Sequence, residues 1–147
     1  MKLKKLLIAV MVVCMLLLPQ SAFAATGFGD TEDTAMQLTP RSQGFEFFLS
    51  NSSDVDWYKW TNTTTNHQAF WARMIMPKTG YYKFQYKIKF NNDDETQLFE
   101  SLQAPNEFEY RFFSHIIVPA GATLYLKVSP NGFNPNDRFY SLLFDYY

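Results

Sequence analysis

The segment from Tyr82 to Phe90 constrains the fold more than any other part of this chain. Tyr82, Phe84, Tyr86, Ile88 and Phe90 are apolar, and the intervening Lys83, Gln85, Lys87 and Lys89 are polar. At helical spacing the lysines would scatter around a cylinder. At a period of two they share one face, so the segment predicts a strand with one buried and one polar side. Thr79-Gly80 and Asn91-Asn92-Asp93-Asp94 bracket it with turn-forming residues. The same reading predicts strands within Phe45–Leu49, Val55–Trp60, Phe70–Met76, Thr96–Leu102, Phe108–Val118, Leu124–Val128 and Tyr140–Phe144. Pro77, Pro119, Gly121 and the run Ser129-Pro130-Asn131-Gly132 punctuate them. The 15 Phe, 9 Tyr and 3 Trp suit half-buried pleated surfaces. No amphipathic helix is apparent. About eight short strands in one domain predict an all-β fold, a single antiparallel β-sandwich of jelly-roll-like build.

Residues 1–24 read as a signal peptide. Lys2, Lys4 and Lys5 precede an apolar run from Leu6 to Leu18, and Ala22-Phe23-Ala24 supplies the small-residue cleavage pattern. A run of 13 residues falls short of the roughly 20 that a membrane-spanning helix needs, so no stable membrane anchor is expected. Cys14, the one cysteine, lies in this run behind Val12-Val13, which is not a lipidation pattern. The remaining domain, 25–147, is then a secreted, extracellular domain without disulfides, and it must rely on its core or on a bound metal. With 13 basic and 14 acidic residues, the chain lacks the positive excess of a nucleic-acid binder.

Several short motifs occur in order along this domain. Glu32-Asp33-Thr34-Ala35 with Leu38 is followed by Gly44, then by Asp54-Val55-Asp56-Trp57-Tyr58-Lys59. Pro119-Ala120-Gly121-Ala122-Thr123-Leu124-Tyr125-Leu126-Lys127-Val128 and Tyr140-Ser141-Leu142 come near the end. Together they resemble the bacterial pre-peptidase C-terminal (PPC) domains, which are similar in build to clostridial collagen-binding domains. Residues 62–110 match only as generic β-structure, and no peptidase precedes the motifs here. The resemblance implies a β-sandwich that serves as a non-catalytic accessory or binding module. Related collagen-binding domains hold calcium through acidic residues of the N-terminal segment, and Glu32 and Asp33 fall at the matching positions.

The residues themselves offer the same lead. Calcium takes several hard oxygen ligands, and Asp30, Glu32 and Asp33 lie near the start of the domain, with Asp54 and Asp56 at a strand start. These acids either hold calcium or are solvated and turn-forming. Tyr81, Lys83, Gln85, Lys87 and Lys89 form either a docking strip for an anionic polymer or fibrous protein, or a solvated face that resists edge pairing. Trp57, Trp60 and Trp71 are candidates for a sugar-stacking surface, although Trp57 and Trp60, three apart on one strand, face opposite ways.

Catalysis has little support. Only His67 and His115 could serve as imidazole bases, and neighbouring Ser114 and His115 on a strand would point apart. Asn51-Ser52-Ser53 and Asn62-Thr63-Thr64 fit the glycosylation sequon. The expected function is a secreted binding or accessory module for an extracellular protein or cell-wall polymer, or for a secreted peptidase. A secreted protease inhibitor and a small secreted hydrolase are the alternatives.

Overall fold

The structure, a computed structural model, describes residues 29–79, 81–103 and 110–147. The proposed signal peptide and Cys14 lie outside the described residues. Ten strands and no helix occur among those described. They are β1 (Met36–Gln37), β2 (Arg41–Phe48), β3 (Asp56–Thr61), β4 (Gln68–Ile75), β5 (Tyr81–Lys89), β6 (Phe99–Glu100), β7 (Leu102–Gln103), β8 (Tyr110–Val118), β9 (Thr123–Gly132) and β10 (Phe139–Tyr146).

The strands form two five-stranded sheets, ordered β1-β3-β9-β5-β6 and β2-β10-β4-β8-β7. Successive strands from β1 to β5 alternate between the sheets, so the two layers are laced together by the chain itself. All pairings are antiparallel except β1 with β3, which is parallel over Met36–Tyr58 and Gln37–Lys59. That short parallel pair qualifies the expectation of a purely antiparallel sandwich.

The core lies between the sheets, as period-two patterning requires. Tyr58, Tyr82, Phe84, Leu124, Leu126 and Val128 come from the first sheet, and Phe70, Met74, Ile116, Tyr140, Leu142 and Phe144 from the second. Aromatic contacts bridge the layers, with ring centroids 4.4 Å apart for Trp60–Phe70 and 5.1 Å for Phe84–Phe113. Such packing suits a domain that lacks disulfides.

Two expected strands differ in detail. The stretch Thr96–Leu102 does not form one strand. It divides into β6 in the first sheet and β7 in the second, with Ser101 between them. The uniform alternation expected up to Val118 is broken by a bulge in β8. Ala72 pairs with Phe113 but Phe70 with Ile116, so Ser114 and His115 stand opposite Trp71 alone. His115 takes a left-handed backbone (φ 56°), and Phe113, rather than Phe112, turns inward.

The β8–β9 turn depends on Gly121 at φ 77°. Asn62 seals it from beneath. Its amide donates to the Val118 carbonyl at 3.0 Å and the Asn66 carbonyl at 2.8 Å, and its backbone exchanges bonds with Gly121 and Ala122. Asn62 is 0% exposed, so its sequon is out of reach of a modifying enzyme once the domain has folded.

Candidate metal centre

Residues 29–35, here called the strap, run over the outer face of the first sheet before β1 joins its edge. The Gly29 carbonyl accepts from the Trp57 amide at 2.6 Å. A side chain on Gly29 (φ 104°) would stand 3.0 Å from Met36 and 3.2 Å from the Trp57 carbonyl oxygen, so the close approach needs glycine. Thr31 and Thr34 close a small turn through mutual hydrogen bonds of 2.9–3.3 Å. Glu32 then reaches β5, where its Oε1 lies 2.7 Å from Lys87 Nζ.

This path brings Asp30 to the start of β3. One carboxylate oxygen each from Asp30, Asp54 and Asp56 lies within 4.8 Å of the other two. Asp54 also accepts from the Ser50 amide at 2.5 Å. Asp56 is 7% exposed and accepts a hydrogen bond from the Tyr140 hydroxyl. Tyr140 in turn shares a 2.5 Å hydrogen bond with Tyr58. Burial raises the Asp56 carboxyl from its ordinary 3.8 to about 6. The Tyr140 bond works against that rise, and the charges of Asp54 and Asp30 add to it. Burial likewise pushes both tyrosine hydroxyls well above their usual range.

Three carboxylates held together, one of them reluctant to ionise, suit a small hard cation. Hard oxygen donors match calcium, and a divalent charge relieves the mutual repulsion. Of the five acids singled out by sequence, the structure therefore gathers Asp30, Asp54 and Asp56. Asp33 is exposed and outside this group, and Glu32 is committed to Lys87.

The lysine-striped face is not a uniform solvated surface. Lys87 is only 5% exposed, held at 2.7 Å by both Glu32 and Glu95, with its Nζ 5.8 Å from the ring centres of Trp57 and Tyr125. Burial works against its ammonium charge, but the two carboxylates outweigh it and raise the pKa above the usual 10.5. Lys89 pairs with Asp93 at 3.1 Å, Lys83 is half-buried and Tyr81 exposed.

The three tryptophans do not share a surface. Trp60 lies in the core, and Trp57 sits on the outer face of the first sheet, only 7% exposed, beside the strap. Trp71 is half-buried on the outer face of the second sheet. His67 is exposed in the β3–β4 loop. His115 stacks on Tyr147, with ring centres 4.3 Å apart and planes at 15°. At the bulge Ser114 and His115 are both exposed, so the expected opposition of adjacent side chains fails there. No described hydrogen bond joins the two.

No protein-family model matches the sequence, and no curated protein matches it. Among solved structures, the pre-peptidase C-terminal domain of a collagenase from Bacillus anthracis is similar, with a TM-score of 0.50 and 12% identity over 76% of this chain and 94% of that domain. Structures of infectious bursal disease virus, from the Gx strain and from a VP2 subviral particle, have TM-scores of 0.41 and 0.39 at 7% identity. They cover 72% and 71% of this chain but only 30% and 29% of theirs, and they carry no functional argument. The chain is thus an all-β sandwich whose fold is similar to that of the pre-peptidase C-terminal domain of the Bacillus anthracis collagenase.

Proposed function

We propose that this protein is a secreted, non-catalytic binding module, with a calcium ion held by Asp30, Asp54 and Asp56. The observation that carries the reading is the meeting of those three carboxylates within 4.8 Å. Asp30 belongs to the strap and the other two to the β3 approach, so one ion joins the segment leading into the domain to the sandwich itself. Calcium would supply structure here, not chemistry: it neutralises the cluster and fixes the strap. The likeness to a collagenase's pre-peptidase C-terminal domain supports an accessory role. Its target is an extracellular protein or a cell-wall polymer.

The test is co-sedimentation with insoluble collagen, chitin, cellulose and purified cell wall, each with calcium and with chelator. Saturable binding to one of them is expected. Absence of binding to all four overturns the binding role, and unchanged thermal melting with and without calcium overturns the metal.

A further inference from the structure

The outer face of the second sheet carries a groove of about 370 Å³ beside the β8 bulge. Trp71 and Phe112 lie along it, and the side chains of Arg73, Ser114 and Tyr147 border it. The groove is a built feature of the sheet. Two residues of β8 stand opposite Trp71 alone, and Trp71 and Ser114 of this bulge both line the groove. The left-handed His115 is turned onto Tyr147, so the bulge also fixes one wall. Arg73 is directly opposite Phe112 in the register, and its guanidinium lies 5.1 Å from the ring centre of Tyr110.

Charge decides what such a groove receives. Arg73 is exposed and makes no ion pair among the described residues. Asp145, across from Trp71 in the register, has its Oδ1 on the Tyr146 amide at 2.8 Å. Among the described residues the guanidinium fork is therefore available to a ligand carboxylate, with its Cζ 5.1 Å from the centre of the Tyr110 ring. Apart from Ala72 and Ser114, the rest of the lining is aromatic, suited to the apolar C–H face of a sugar. A peptide fits less well: β4 lies between β10 and β8, so its backbone groups are already paired and main-chain recognition at a sheet edge is absent.

We propose that this groove is a subsite for a carboxylate-bearing sugar residue of an acidic polysaccharide, with its ring on Trp71 and its carboxylate on Arg73. This rests on the binding-module reading and names a ligand class for it.

The test follows tryptophan fluorescence of the whole protein during titration with galacturonate oligosaccharides, neutral cello-oligosaccharides and poly-glutamate. Trp57 and Trp60 are buried, so a ligand in the groove reports through Trp71. Galacturonate oligosaccharides should change the emission saturably, and Trp71→Phe should abolish the change. Arg73→Gln should weaken binding roughly ten-fold or more, and added salt should weaken it too. Equal binding of the neutral sugars, equal binding of poly-glutamate, or no saturable change with galacturonate each overturns the proposal. Unaltered affinity in Arg73→Gln, with folding verified by circular dichroism, overturns it as well. Binding to an insoluble polymer that survives both substitutions would leave the module reading standing while removing this groove from it.

Discussion

The Tyr140 hydroxyl donates to the Asp56 carboxylate across the gap between the two sheets. Asp56 opens β3 in the first sheet, and Tyr140 is in β10 of the second. Tyr58, two residues along β3 on the same face, bonds the same hydroxyl. The acidic cluster is therefore anchored to both layers, and an ion bound there would act on the whole sandwich.

Replacing Tyr140 with Phe should be costly. The ring packing survives, but a buried carboxylate loses its donor and Tyr58 its partner. A loss of about 2–3 kcal/mol in urea unfolding is expected, since a buried charged acceptor is left unsatisfied. Tyr58→Phe removes only the outer bond and should cost about 1 kcal/mol. Equal, negligible losses in both variants would show that the network does not hold the sheets together.

The pH dependence without divalent ions follows from Asp56. Its folded-state pKa, about 6, is above the ordinary 3.8, so the folded form binds the proton more tightly than the unfolded chain. The stabilisation is complete below the unfolded pKa and is lost as pH rises through about 6. In chelator, the domain should lose about 1–2 kcal/mol between pH 5 and pH 7.5 from this group. Asp56→Asn, measured by the same unfolding series, should flatten that slope. Calcium should oppose it, because the ion binds the deprotonated cluster and stabilises most at the higher pH.

The sheets were legible in the sequence because period two states which face is buried. The alternation from Tyr82 to Phe90 is matched by the inward Tyr82, Phe84 and Ile88. What escaped depends on contacts between distant segments. Trp57 alternates as an outward residue and does point outward, but the strap beside it leaves it buried, and nothing local announces that path. Lys87 reads as a solvated lysine until Glu32 and Glu95 close on it. The acids were visible as a group, yet choosing Asp30 over Asp33 required knowing that the Gly29 carbonyl bonds the Trp57 amide. The β8 bulge was hidden because Tyr110, Phe112, Ile116 and Val118 keep alternating in sequence while the backbone shifts by one residue beneath them.

Lys87 should prove to be what holds the strap to β5. Lys87→Met keeps the aliphatic stem against Trp57 but leaves Glu32 and Glu95 without their shared cation. Both carboxylates are half-exposed, so solvent screens much of the effect, and a loss of about 1–2 kcal/mol is expected instead of the larger cost of a fully buried pair. Hydrogen exchange should rise in the strap residues more than in the core strands. Unchanged exchange there would mean that the strap is held by Gly29 and β1 alone.

The sharpest distinction among the acids is between Asp54 and Asp33. Asp54 lies in the three-carboxylate group and Asp33 does not. At calcium about a hundred times its dissociation constant, a single site adds about 2.7 kcal/mol, which for a domain of this size raises the melting temperature by about 10 °C. Asp54→Asn should abolish that rise, because the site loses one of its three negative charges and keeps only a neutral amide oxygen there. Asp33→Asn should leave it intact. The opposite pattern would move the ion to the outer side of the strap, and it would then no longer be tied to Asp56, Tyr140 and the second sheet.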